Sequence, residues 1–329
     1  MNLLFYLSGE HLTLPKSEVI GVLEGEGIDY GMEYEKGRLL ILDADCEETG
    51  FLRRLAMTRS VSEFIAHGDD LEGLASQVQA CDKISEFKTF AVRCVCFDDG
   101  DSMAVEKELG GRIKEISGLG VDLTAPDVTV QCFSGAEYFV GIKIDVSREN
   151  FEGRKPQHRP YFHPTSMHPK IARVLVNLAR VKAGDRILDP FCGTGGILIE
   201  AGLMGIDAVG LDIDERMVSG AKKNLEFYGI SGDAGVGNAL EIDKKFQQMD
   251  AVVTDLPYGR SSFIPDPDLK RFCSKFIVSA YRVLKKGACL VLVLPIEYEP
   301  DFSGFEIVER HDLYIHKTLT RRIRVLRNV

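Results

Sequence analysis

The chain has 329 residues, a formal net charge of −10 and an ordinary apolar content for a soluble protein. That length allows two or three domains with cores of their own. No run approaches a membrane span and the N-terminus lacks a basic flank and cleavage site, so a cytoplasmic protein is expected. The acidic total argues against nonspecific, charge-driven clinging to nucleic acid.

Residues 1–147 carry 13 Lys and Arg against 27 Asp and Glu, whereas residues 148–329 carry 27 against 23. Only the second half has a charge balance suited to a polyanion. Asn2–Leu7 and Arg38–Leu42 are predicted strands, with a helix starting near Pro15 between them. Residues 51–65 are expected to be helical for part of their length, with Phe51, Leu52, Leu55, Val61, Phe64 and Ile65 as the apolar positions, and 71–78 form a weaker helix. Thr89–Phe97 is a strand rich in β-branched and aromatic residues. Residues 101–116 make an amphipathic helix, and 128–133 with 137–145 a hairpin around Ser134-Gly135. This order suits a small α+β module.

Residues 147–164 hold three Pro and four basic residues and read as a linker. Arg148, Arg154, Lys155 and Arg159 either touch phosphates or are solvated linker charges. A helix follows over 167–181. Strands are then expected at 186–189, 208–211, 234–236, 251–254, 288–294, 305–310 and 322–326, with helices at 195–204, 214–228 and 267–285 and a short one after 240. Such alternation means a mostly parallel sheet covered on both faces. The last two strands lack a long helix between them and are expected to pair antiparallel at the edge. Alternation would put Arg322, Arg324 and Leu326 on one face of an edge strand, where the charges either meet phosphates or protect the edge from aggregation. The eight Cys include no C-x-x-C pair, so reduced, buried thiols are expected and no metal site is assigned.

The stretch Arg186–Glu200 is a strand, a glycine turn and a helix start. Gly193 and Gly195 fill two positions of G-x-G-x-x-G, but Leu198 stands at the third, and no Lys follows as a P-loop requires. An acid, Asp189, followed by G-x-G-G suits a ligand bound through an amine and a ribose, with S-adenosylmethionine the obvious candidate; the alternative is an ordinary strand-to-helix turn. Asp212 ends the second strand, where an acid typically grips ribose hydroxyls, and Asp214 is placed to cap the next helix. Asn238, ending the third, either meets an adenine edge or serves a turn.

The fourth strand ends in Asp255-Leu256-Pro257-Tyr258. An exocyclic amine on a nucleobase is a poor nucleophile because its lone pair delocalises into the ring. The Asp255 carboxylate and the Leu256 carbonyl can accept hydrogen bonds from its two N–H groups and free that lone pair. Pro257 stiffens the turn, and Tyr258 offers a flat face to an unstacked base. The alternative is a strand-ending turn with a packed Tyr.

With these residues, 147–329 resemble a class I S-adenosylmethionine-dependent methyltransferase of the amino-methylating type, although Leu256 stands where Pro is usual and Asn238 where many relatives have an acid. Residues 1–146 resemble the ferredoxin-like plus THUMP pair of RNA-modifying enzymes, on Thr89–Arg93, Glu106–Gly110 and Val121–Pro126. Joined through Arg159–Lys170, the whole is similar to archaeal tRNA guanosine-N2 methyltransferases acting at position 10; relatives that modify position 6 share the same parts.

The resemblance implies an α/β fold. A Rossmann-like seven-stranded methyltransferase domain (165–329) follows a ferredoxin-like domain (1–50), a THUMP domain (51–146) and the linker (147–164). It implies S-adenosyl-L-methionine as cofactor, with Thr165, Ser166, Phe191, Ile213 and Ala239 joining Asp189, Gly193, Gly195, Asp212 and Asn238 around it. tRNA is the implied partner, held by its acceptor end, with Arg53, Arg54 and Arg93 as candidate contacts beside the linker cations. No obligate protein partner is evident, and a monomer is expected. Methylation of another exocyclic amine, or tRNA binding by a chain whose methyltransferase fold is vestigial, are the competing readings.

Overall fold

The computed structural model describes residues 1–147, 149–257, 268–295, 299–316 and 319–329. They form two compact units, one of residues 1–9, 29–52 and 58–147, the other of residues 10–28, 53–57 and 148–329. Helix α1 (Leu14–Glu26) therefore folds with the second unit, although the strands on either side of it in sequence fold with the first.

The first unit is built on eight strands: β1 (Asn2–Leu7), β2 (Tyr30–Lys36), β3 (Leu39–Ala44), β4 (Thr58–Gly68), β5 (Thr89–Cys96), β6 (Gly120–Val121), β7 (Val128–Ser134) and β8 (Tyr138–Ile144). Their order is β2-β3-β1-β4-β8-β7-β5-β6. Helices α2 (Leu71–Ala80) and α3 (Ser102–Ser117) bury Leu74, Val78, Leu109 and Ile113 against Phe90, Val130 and Val140. Asp70 and Asp101 start these helices, their carboxylates accepting from main-chain N–H groups of the first turn. β7 and β8 form the expected hairpin, Val130 opposite Ile142.

Residues 51–65 depart from the helical expectation. Gly50–Arg54 make a short 3-10 turn, and the rest enters β4. Val61 of β4 lies opposite Phe5 on one side and Ile144 on the other. Pairing along both edges outweighs a helical spacing that is only local. β2 was not foreseen: Tyr30, Met32 and Tyr34 alternate, but Gly31, Glu33, Glu35 and Lys36 dilute the pattern, and most of its side chains are exposed.

The second unit carries β9 (Arg186–Asp189), β10 (Asp207–Asp212), β11 (Asp233–Val236), β12 (Met249–Asp255), β13 (Leu284–Pro295), β14 (Phe305–His316) and β15 (Leu319–Asn328). Their order is β11-β10-β9-β12-β13-β15-β14, with β15 antiparallel to both its neighbours. Alternate residues of each strand enter opposite cores. Ile187, Val253, Val291 and Ile323 face one core together with α4 (Pro169–Leu178), α5 (Gly196–Leu203) and α6 (Glu215–Phe227); Leu188, Val252, Leu290 and Leu326 face the other with α7 (Leu269–Val283). Each fully buried Leu or Ile contributes about 2 kcal/mol.

β15 corrects the edge-strand expectation: it is an interior strand, and β14 is the edge. Leu326 is buried in the core, and the guanidinium of Arg324 is buried against Glu299 and Asp312. Arg322 also pairs with Glu299. These cations hold neighbouring segments rather than guard an edge.

α1 crosses α4 closely: a Cβ on Gly21 would stand 2.5 Å from the carbonyl oxygen of Asn177. Glu18 of α1 is fully buried, and its carboxylate accepts from the N–H of Ala56 (2.8 Å), the N–H of Met57 (2.7 Å) and Nδ2 of Asn177 (2.8 Å). Beside it Arg54 donates to Glu26 and to the carbonyl of Val181, both at 2.6 Å. Among the described residues no helix is long and apolar enough to cross a membrane.

Candidate active site

The strand order reverses direction between β9 and β12, and crevices at the carboxyl ends of such strands are where open α/β sheets bind ligands. β9 ends at Asp189, and the chain turns into α5 through Gly193 and Gly195 at φ +51° and +83°. Such values favour glycine, which has no Cβ to clash. Gly195 starts α5 and no side chain caps it, so the first N–H groups of the helix are available to a ligand.

The acids hold this turn in shape. Asp189 is 2 % exposed, and its Oδ1 accepts from Thr254 Oγ1 at 2.6 Å and from the N–H of Phe191 at 3.2 Å. Burial pushes its carboxyl up to about 7, with Asp212 and Asp255 pushing the same way. Asp212 accepts from the N–H of Gly193 and of Asp214, both at 2.9 Å, tying β10 to the glycine turn. Burial raises its pKa as well, those two N–H groups opposing the shift. Asp214 caps α6 as expected.

The remaining expected cofactor residues gather around these carboxylates. The hydroxyls of Ser166 and Thr194 lie 2.9 Å apart, bringing Ser166 to the glycine turn. Thr165, by contrast, is exposed, its hydroxyl 2.8 Å from Nδ1 of His163. Phe191 packs its ring on Phe272 and Phe276 of α7. Ile213 and Val236, 45 % and 51 % exposed, follow and end the adjacent strands β10 and β11, an apolar rim open to a flat ring. Asn238 caps the turn that contains the buried Ala239: its Oδ1 accepts from the N–H of Leu240 at 3.0 Å. Its NH2 takes no part in that cap.

β12 ends at Asp255. Its Oδ1 is buried and accepts no hydrogen bond from the described residues, while its Oδ2 lies 3.3 Å from Nη2 of Arg321. Burial pushes the carboxyl up to about 6, and the Arg321 charge opposes that shift. Leu256 is buried, and its N–H donates to the carbonyl of Val293 at 3.2 Å, a bond that a proline at this place could not make. Pro257 follows, half-buried. Tyr258 lies outside the described residues, as do Arg148 and Lys317.

Several expected phosphate contacts are corrected by burial. Arg54 is 4 % exposed and bound inside the second unit. Arg154 pairs with Glu149 and Glu200 over the ring of Phe151. Arg159 is 5 % exposed and donates to the carbonyl of Arg154. Arg93 donates to the carbonyls of Val92 and Leu123. Lys155 pairs with Glu152, and Arg53 is exposed. Arg154 and Arg159 of the linker each had a carboxylate or carbonyl within the fold to meet, which spacing alone does not reveal. Thr254 and Arg321 were not foreseen at the site. Thr254 adjoins the acid motif, a signal that was available; Arg321 comes from a distant strand.

Two family models match the chain: an RMKL-like methyltransferase domain over residues 156–316 and a THUMP domain over residues 66–138. The chain is 38 % identical to the tRNA (guanine(10)-N2)-dimethyltransferase of Methanothermobacter thermautotrophicus, across 100 % of both chains. It is 32 % identical to the enzyme of that name from Methanocaldococcus jannaschii, across 99 % of each. In fold it is similar to TrmN from Thermus thermophilus, with a TM-score of 0.54 at 18 % identity over 100 % of both chains.

Proposed function

Because the chain belongs to the family of tRNA (guanine(10)-N2)-dimethyltransferases, we propose that the β9–β12 crevice methylates N2 of guanine 10 in tRNA, first to N2-methylguanosine and then to N2,N2-dimethylguanosine. The observation that carries this reading is the Asp255 carboxylate at the switch point, with a buried oxygen that lacks a donor. Buried polar atoms are rarely left unmatched, and one in a ligand crevice suits a donor on the substrate.

The methyl donor is S-adenosylmethionine, which when bound supplies an electrophilic methyl on a cationic sulfur. The residues fit it. Asp212 and Asp255 add to the cost of ionising Asp189, which a cation relieves. The uncapped start of α5 suits its carboxylate, Asp212 its ribose, and Ile213, Val236 and the NH2 of Asn238 its adenine. Gly193, Gly195 and Phe191 shape the turn beneath it, and Ser166 steadies that turn through Thr194. The exposed Thr165 is assigned as an outer contact, and the buried Ala239 as backing to the Asn238 turn.

Asp255 Oδ1 and the Leu256 carbonyl accept from the two N–H groups of guanine N2, turning its lone pair out of the ring. Asp255 then takes the proton that the nitrogen sheds on gaining a methyl. A carboxyl near 6 is ionised at neutral pH yet basic enough to hold that proton briefly. Positioning and electrostatics supply most of the rate. Pro257 fixes the turn, and Tyr258 is assigned to stack the base.

tRNA is held through the THUMP region, and Arg53 remains a candidate phosphate contact. Functionally, residues 1–50 are assigned as ferredoxin-like, 51–146 as THUMP, 147–164 as linker and 165–329 as methyltransferase, in a cytoplasmic monomer. The test is incubation with labelled S-adenosylmethionine and a tRNA transcript, digestion to nucleosides, and mapping by mass spectrometry. Label in N2-methylated guanosine at position 10 is the expected result. Label on any other base, or at another guanosine, overturns it.

A further inference from the structure

We propose that Asp255 and Arg321 together read the Watson–Crick edge of the target base and so make the site selective for guanine over other purines, including those that carry a 2-amino group. This rests on the methyl transfer proposed above, and concerns how the base is chosen.

The placement comes from strand register. Asp255 lies opposite Val293, and Val293 opposite Ile323. Ala251, Val253, Val293, Ile323 and Val325 all face one core, so Asp255 and Arg321, alternate residues of the same strands, share that face at the sheet's carboxyl end. Arg321 stands one alternation beyond Ile323, opposite Pro295 of β13 and Leu313 of β14. From there its guanidinium reaches Asp255 Oδ2 at 3.3 Å and leaves Oδ1 unbonded. The pair presents, in order, two acceptor oxygens and a cationic donor.

Guanine's edge is the complement. N2–H and N1–H donate, and O6 accepts. Asp255 takes the two donors through Oδ1 and Oδ2, and an N–H of Arg321 meets O6. Arginine has five donors in a fixed fork, so one can stay on Oδ2 while another faces the base. A 2-aminopurine keeps the amine to be methylated but has a lone pair at N1 and no O6. Its N1 would face a carboxylate oxygen, and Arg321 would lose its acceptor. 2,6-Diaminopurine adds an amino group that points hydrogens at the guanidinium. Adenine lacks the 2-amine altogether. A site built around buried polar groups rejects analogues that leave them unmatched.

The test uses the full-length enzyme and tRNA transcripts carrying guanine, 2-aminopurine or 2,6-diaminopurine at the methylated position. Rates are compared as kcat/KM on the alkaline plateau, where Asp255 is ionised in every variant. The wild type is expected to favour guanine by roughly 100-fold or more. In Arg321→Gln the guanine to 2-aminopurine ratio is expected to fall roughly 10- to 100-fold, the worth of one specific base contact. Arg321→Lys keeps a charge beside Asp255 and guards against loss of folding; its ratio is expected to lie between the two. A wild type that methylates 2-aminopurine as fast as guanine overturns the proposal. So does an Arg321→Gln enzyme whose two rates fall together with their ratio unchanged, since Arg321 would then act on Asp255 alone. Methylation of the guanine transcript by the wild type reports separately on the underlying reaction.

Discussion

Two carboxylates of the second unit, Glu18 fully buried and Asp255 half-buried with its Oδ1 enclosed, show opposite designs. Glu18, at the contact of α1 with α4, accepts from two main-chain N–H groups and an amide, and Arg54 beside it binds Glu26 and the Val181 carbonyl. Asp255, at the end of β12, keeps one oxygen without a donor among the described residues. Burial raises the pKa of both. The first is closed by its own chain and holds structure. The second is left open, and its open valence is what a substrate can fill.

Substitution should separate the two most sharply at Asp255. Asp255→Ala is expected to lower kcat by about 1000-fold, the scale of a lost catalytic base and charge contact. Its melting temperature is expected to hold or rise above neutral pH, because a carboxylate that is costly to ionise in the fold has been removed. A scan showing a large loss of stability would put Asp255 in the same class as Glu18. Glu18→Ala should do the reverse. It strands three donors and is expected to cost about 3–5 kcal/mol in denaturant unfolding, with kcat of the folded enzyme near wild type.

The pH profile sharpens the same contrast. Asp255 must be ionised to accept from N2–H, so the rate is expected to rise about tenfold per pH unit below a midpoint near 6 and to level off above about 7. The Arg321 charge lowers that pKa, so Arg321→Gln should move the midpoint to higher pH. For stability the sign is opposite. A carboxyl whose folded pKa is raised contributes stability below its unfolded value near 4, and that contribution is lost as the pH climbs through about 6. Replacing Asp255 with Asn should remove this slope. The smallest effect belongs to Leu256→Pro, which deletes the N–H bonded to Val293. It is expected to cost about 1 kcal/mol and to change kcat by only a few-fold.

The second sheet was largely legible in the sequence, because its parallel strands are buried on both faces and appear as unbroken apolar runs such as 288–294. The glycine turn and the acids at the strand ends were equally plain: Asp189, Asp212 and Asp255 each close a strand. The first sheet was less so. β2 exposes most of its side chains, and β4 owes its form to partners on both sides that are distant in sequence. Charge was the least legible property. Arg54, Arg154, Arg159 and Arg324 look like surface cations when read in order, yet Arg154 is half-buried and the other three buried, against groups brought to them only by folding. The pairing of Arg321 with Asp255 needed the register of three strands to become visible.

The insertion of β15 between β13 and β14 ties the pocket to the far margin of the sheet. Arg321 stands beside Asp255 only while β15 is paired along both its flanks, so a change that frees β14 from β15 would also unseat the arginine.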